Sequence, residues 1–207
     1  MSTATEPGDR LAAAKRAARA PLLAARRTRS EADRTAARVA VAAHLSAVLE
    51  PARCVAAYLP LPSEPLDPAL LHTLAGRARV LIPVVTGPSP LDWCEFTEST
   101  RPGRLGIEEP DGPRLGPEAI AEADAVLVPA LAVSARGYRL GRGGGHYDRT
   151  LALRDRLRGT VDAAEDLLIA LVYDEELGLT VPHDELDRPV TAAVTPTRGL
   201  LRLRTGC

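Results

Sequence analysis

Four short, nearly continuous apolar runs constrain this chain more than any other feature: "CVAAYLPL" at residues 54 to 61, "RVLIPVV" at 79 to 85, "ADAVLVPALAV" at 123 to 133 and "LLIALVYD" at 167 to 174. Each lacks the strict alternation of a strand with one wet face, so each is expected to be a strand covered on both sides. Helical patterns separate them, among them "DPALLHTLAG", closed by Gly76, and "PEAIAEA" ahead of the third run. The fold class this implies is α/β: a single layered domain with a mostly parallel central sheet flanked by helices, the N-terminal helices packed on one side. No segment repeats at a fixed period, and "VTGPSPLDW" and "EPDGPRLGPE" read as loops.

A chain of 207 residues, 45% hydrophobic, suits one such domain over residues 10 to 207, with residues 1 to 9 as a flexible tail. The stretch from Arg10 to Arg29 carries seven basic residues and no acidic one, yet its alanines make it a good helix, which Pro21 is expected to kink or restart. A second helix follows from a Ser30 cap with Asp33 at its third position. With a net charge of -1 the chain has no field to recruit nucleic acid or an anionic membrane, and no apolar run reaches the roughly 18 residues that span a bilayer. Cys54, Cys94 and Cys207 form neither a CxxC pair nor an even set, which favours free thiols in a reducing, cytoplasmic setting. The expected partner is a small molecule, met by a monomer.

Residues 139 to 149, "RLGRGGGHYDR", place four glycines within five positions, after a buried strand and ahead of the helical pattern "HYDRTLALRDRLRG". Backbone N–H groups there, backed by a helix dipole, make an anion cradle. Arg139, Arg142 and Arg149 add charge suited to a polyphosphate. The run matches neither the Walker A pattern nor the dinucleotide fingerprint, and by itself is also compatible with a flexible surface loop. One further signal lies at the other end of the chain. Of 26 basic residues, 25 are Arg, and the only Lys is Lys15, one helical turn before Arg19. A compact ammonium meets a phosphate as a point charge where a planar guanidinium does not.

The segment "DAVLVPALAVSARGYRLGRGGGHYDRTL" resembles that of 5-formyltetrahydrofolate cyclo-ligases, also called methenyltetrahydrofolate synthetases. "KRAAR" is similar to that family's N-terminal helix, "AAYLPLPSEP" to its Y-L-P-x-x-x-E turn, "RLGIEEP" to its G-I-x-E-P segment and "VPHDELDRPVTAAVTP" to its closing stretch before a final strand. These lie in family order from about Lys15 to Thr195. Two departures are visible: His146 stands for the first of two tyrosines, and "AVS" at 132 to 134 replaces an A-F-D-like triplet.

The resemblance implies conversion of 5-formyltetrahydrofolate and ATP to 5,10-methenyltetrahydrofolate, ADP and phosphate. A formamide oxygen is a poor leaving group, so it is phosphorylated first; N10 then attacks the activated carbon and phosphate departs. The resemblance implies an ATP site at Lys15, Arg19, Arg139, Leu140, Gly141, Gly143, Gly144, Gly145, His146 and Tyr147, with Arg142 as the catalytic cation. It implies Mg²⁺ ligands at Asp148 and Asp187, and folate contacts at Leu59, Glu64, Tyr58 and Trp93, where Tyr58, Trp93 and Tyr147 would stack on the rings. His183 and Asp187 have a spacing fit for zinc only on a helix, which Pro182 argues against, and no GxSxG elbow points to a nucleophile. Two alternatives stay open: a family-like protein that binds folate or nucleotide without turnover, and an ATP-dependent enzyme for another one-carbon or amide substrate.

The lone lysine gives a sharp test. Lys15→Arg is expected to fold normally and lose much of its turnover, because a guanidinium is bulkier and places its donors differently. ATP affinity and turnover equal to the parent's in Lys15→Arg would show that the position needs only a positive charge.

Overall fold

A computed structural model describes residues 7 to 103, 108 to 159 and 166 to 204. Its centre is a seven-stranded sheet. Strand β1 (Cys54–Ala56) lies in the middle, flanked by β2 (Arg79–Val84) and β6 (Ala125–Pro129), with β9 (Leu167–Leu171) and β10 (Ala192–Thr195) beyond β6. These five strands are parallel, as the apolar runs require. Antiparallel strands close both edges: β3 (Asp92–Glu95) on β2 and β11 (Gly199–Arg202) on β10. The membrane-spanning criterion is met by no helix among the described residues, none being long and apolar enough.

Alternation along the strands sorts the core into two layers. Val55, Val80, Ile82, Ala125, Leu127, Ile169 and Val194 face α2 (Glu31–Val48) and α3 (Pro68–Ala75), meeting Val41, Leu45, Leu70 and Leu74. Ala56, Leu81, Val126, Val128 and Ala170 face the other way, toward α4 (His146–Arg158) and the short 3₁₀ turn Pro117–Glu122, through Leu151 and Ile120. Ser30 caps α2 by accepting from the Asp33 amide at 3.1 Å, and Asp67 caps α3 through the Ala69 amide at 2.9 Å. Gly76 closes α3, but with ordinary right-handed backbone.

Several expectations need correcting. Helix α1 (Pro7–Thr28) begins inside the expected tail, so residues 7 to 9 are helical, while 1 to 6 lie outside the described residues. It runs on through Pro21 without restarting. Its Ala18 and Leu22 pack on Ala132, Leu140 and Val181, so α1 lies across the loops at the carboxyl edge of the sheet. The run 123 to 133 splits into β6 and a short strand β7 (Ala132–Val133), paired with β8 (Arg139–Leu140). Trp93 and Asp92, read as loop, belong to β3, and Glu109 and Pro110 to β5 (Glu108–Pro110), paired with β4 (Thr100–Pro102). These strands carry too few apolar residues to signal themselves. Arg104 to Ile107 of the "RLGIEEP" motif, and Cys207, lie outside the described residues. Cys54 and Cys94 are buried free thiols, and burial pushes the Cys54 thiol up to about 11.

What pins α1 in place is a buried ion pair. Arg26 is 2% exposed; its Nε and Nη2 donate side-on to Glu176 at 2.7 Å each, and Nη2 also reaches the Ala130 carbonyl just past β6. Burial works against the guanidinium's charge, but the Glu176 contact outweighs it and holds its pKa above the ordinary value. Glu176→Ala is expected to cost roughly 3–5 kcal/mol in urea unfolding, since it leaves a buried cation uncompensated. A loss near zero would mean that Arg26 swings to solvent and that α1 is held by other contacts.

Candidate active site at the carboxyl edge

Strand order reverses at β1: the chain passes from β1 outward to β2, then returns to β6 on the opposite side and continues through β9 to β10. At such a switch point the connections leaving two neighbouring strands part, and their carboxyl ends frame a crevice. The connection after β1 carries Tyr58, Leu59 and Glu64. The connection after β6 carries the β7–β8 ladder and the glycine run. Helix α1 lies over both.

The glycine run occupies the step from β8 into α4. Gly143 has φ 105° and Gly145, the residue capping α4, has φ 64°, conformations that side chains with a Cβ rarely adopt. A Cβ on Gly145 would lie 2.8 Å from Arg149 Nη1. Gly144 has no positive φ, but a Cβ there would lie 2.6 Å from His146 Cδ2. Among the described residues no carbonyl receives the amides of Gly143, Gly144 or Gly145, so these donors precede the α4 N-terminus unspent. Arg19 reaches down from α1, donating from Nε to the Gly141 carbonyl at 2.7 Å and laying its guanidinium against Gly143. His146 sits beside Arg149, whose Nη2 is 3.2 Å from its Nδ1.

Lys15, one turn back on α1, meets both carboxylate oxygens of Asp187 at 2.6 and 2.8 Å. Asp187 also accepts from the Asp184 amide at 2.8 Å. Burial opposes its ionisation, but these contacts win and hold its carboxyl below the ordinary range. Asp148, in the first turn of α4, accepts at Oδ1 from Arg139 Nη2 at 2.8 Å and from the Arg188 amide at 3.1 Å. Because Arg188 follows Asp187 directly, the two carboxylates belong to one corner of the site. No group of three or more His, Cys, Asp or Glu side chains able to hold a metal occurs among the described residues. His183 stacks on Tyr138, with ring centroids 3.6 Å apart.

Beside this cradle lies a cluster of buried polar side chains, called the chamber below. Glu64 is 5% exposed; its Oε2 accepts from the Leu61 amide at 2.9 Å and its Oε1 lies 3.7 Å from Arg142 Nε, so the glycine run and the β1 connection touch through this pair. Burial pushes the Glu64 carboxyl up, only partly offset by the Leu61 amide and by Arg142 and Arg26. The hydroxyls of Tyr58 and Tyr147 are buried without a partner, and burial raises both phenols. Leu59 packs against the first core layer nearby.

Trp93, Arg139 and Leu140, all expected at the site, are buried. Trp93 is 0% exposed and packs in the second core layer with Leu81, Leu91 and Ile120, so it offers no ring face to a ligand. Arg139 is buried, and its terminal nitrogens are spent on Asp148 and the Arg188 carbonyl, so it ties the two loops together instead of presenting free charge. Leu140 is buried under α1 beside Ala18 and Leu22; it seats the loop and leaves contact to its neighbours. Conversely, Arg26 and Arg38 were invisible in an arginine-rich N-terminal sequence. Arg38 donates to the Pro62 carbonyl and holds the loop that carries Glu64.

The family model described as the 5-formyltetrahydrofolate cyclo-ligase family matches residues 11–196. A protein of Mycolicibacterium smegmatis named 5-formyltetrahydrofolate cyclo-ligase is 43% identical over 197 residues, 90% of this chain and 95% of its own length. One of the same name from Escherichia coli strain K12 is 32% identical over 95 residues, 46% of this chain and 48% of its own. The solved structure of Aquifex aeolicus 5,10-methenyltetrahydrofolate synthetase is similar with a TM-score of 0.71 at 28% identity, covering 93% of this chain and 94% of that one. A solved structure of a 5,10-methenyltetrahydrofolate synthetase from Mycoplasma pneumoniae gives a TM-score of 0.66 at 20% identity, covering 86% of this chain and 96% of that one, a likeness of fold.

The raised Glu64 carboxyl has a signed consequence. A carboxyl whose folded pKa lies above its unfolded value contributes stability that is complete below the ordinary value of 4.5 and is lost as pH rises through the folded value. Glu64→Gln removes that loss. Its melting temperature should exceed the parent's near neutral pH, and the gap should close on acidification below the ordinary carboxyl range. A variant less stable than the parent at every pH would show that the ionised carboxylate stabilises the fold.

Proposed function

Because this chain belongs to the 5-formyltetrahydrofolate cyclo-ligase family, we propose that its carboxyl-edge crevice closes 5-formyltetrahydrofolate to 5,10-methenyltetrahydrofolate at the expense of ATP, releasing ADP and phosphate. The observation that carries this reading is the contact between Arg142 and Glu64, which joins an anion cradle to a buried polar chamber at 3.7 Å. A reaction that moves a phosphoryl group onto a folate needs two such sites side by side.

In this reading the triphosphate takes the free amides of Gly143, Gly144 and Gly145 and the positive end of α4, with Arg19 and Lys15 above. The folate enters the chamber between Tyr58, Leu59, Glu64 and Tyr147. Arg142, at the junction, is the cation placed to follow charge as the formyl oxygen takes the γ-phosphoryl group and ADP leaves. N10 then attacks the activated formyl carbon, that carbon loses its bond to the phosphorylated oxygen, and phosphate departs carrying the proton that N10 gives up. The protein supplies no nucleophile; it positions two substrates and neutralises moving charge.

Asp148 and Asp187 fit Mg²⁺ only as a minority of its ligands. Both already pair with cations, and among the described residues no third carboxylate joins them, so the corner suits an ion held mainly by phosphate oxygens and water. Bound there, Mg²⁺ would neutralise phosphate charge. Asp187 would then release Lys15 from its carboxylate toward the phosphates.

Purified protein given ATP, Mg²⁺ and 5-formyltetrahydrofolate is expected to produce methenyl-folate absorbance and ADP in equal amounts. Arg142→Gln should lower kcat by roughly 10² to 10³ with a smaller change in the folate KM. ADP formed without methenyl product would point to a different acceptor, and an unchanged kcat in Arg142→Gln would remove that residue from the chemistry.

A further inference from the structure

The buried arginine of α1 holds more donors than its ion pair uses. Nε and Nη2 of Arg26 are engaged by Glu176 and the Ala130 carbonyl, while Nη1, equally shut off from solvent, meets no acceptor. An unpaired donor on a buried cation is costly, and native proteins seldom leave one without a ligand or water to receive it.

Its surroundings say which kind of ligand. Ala130 lies just past the end of β6 and Tyr58 just past the end of β1, and the two strands are neighbours in register at Ala56 and Val126. Glu176, which grips Arg26, also accepts from the Tyr173 amide at 2.9 Å, and the Tyr173 hydroxyl donates to the Ser63 carbonyl at 3.3 Å, one residue before Glu64. The guanidinium is close enough to Glu64 and Tyr58 to act on the charge of both. The buried Glu64 carboxyl is therefore an acceptor within electrostatic reach of unspent donors on Arg26 and on the Tyr58 and Tyr147 hydroxyls.

That pattern is the complement of one edge of a 2-amino-4-oxopyrimidine, which presents two adjacent N–H donors and then a carbonyl acceptor. Building on the folate reading of this chamber, we propose that Arg26 Nη1 donates to the 4-oxo group of the substrate's pterin ring while Glu64 accepts from its 2-amino and N3 hydrogens. Arg26 is then a specificity-determining residue as well as the pin of α1. Recognition of the ring and closure of α1 over the site share one side chain.

The test uses 5-formyltetrahydrofolate and its 4-thioxo analogue, which keeps both N–H donors and exchanges the strong acceptor oxygen for a weak one. Each is titrated calorimetrically into the intact protein without ATP. Parent protein should favour the oxo compound by roughly tenfold or more, and Arg26→Met should bind both within about twofold of each other. Arg26→Lys, which keeps a buried cation if the Met variant does not fold, should show an intermediate ratio. Equal binding of the two compounds by the parent overturns the proposal whatever the variants do, as does a ratio unchanged in a folded Arg26 variant. Failure of the parent to bind either compound overturns the folate reading of the chamber itself, and the proposal with it.

Discussion

Everything at the active edge of this molecule depends on one guanidinium out of water. Arg26 joins α1 to the ends of β6 and β9 through Ala130 and Glu176, and α1 is what brings Lys15 and Arg19 over the glycine run. A sheet alone would leave the two connections at the switch point open to solvent. An ion pair at such depth gains little net stability over an apolar replacement, since each charge must be desolvated. What it supplies is direction: a bidentate fork fixes where along its length the helix lands.

The architecture also separates two electrostatic duties. The glycine-run side gathers donors and cations that are partly exposed. On the other side burial pushes the Glu64 carboxyl up and two buried phenols lack partners. Unsatisfied groups of this kind are a stored cost that a ligand of complementary pattern removes. Arg142 is the one side chain that belongs to both environments, half exposed yet in reach of Glu64.

The parallel core was readable because strands buried on both faces must be apolar throughout, and α2 announced itself through Ser30 and Asp33. The edge strands were not, since β3 is only four residues long and β4 and β5 are largely polar. The glycine run, Lys15, Glu64 and the two aspartates stood out by type and order. The burial of Trp93, Arg139 and Leu140 was not legible, because a motif gives position along the chain, whereas packing decides whether a side chain faces outward or its own core. Arg26 was missed for the converse reason. One arginine among many on a basic helix carries no mark of being the buried one, because that depends on where Glu176, 150 residues later, comes to lie.

Lys15 is the only lysine in the chain, and it is held 2.6 Å from Asp187 at the edge of the crevice. For amine chemistry this makes the protein's own composition a source of selectivity. An acylating reagent meets a single side-chain amine, so any modification of lysine here, enzymatic or accidental, is by arithmetic a modification of that corner. Protein surfaces normally dilute such damage over dozens of dispensable lysines; this one has none to spend.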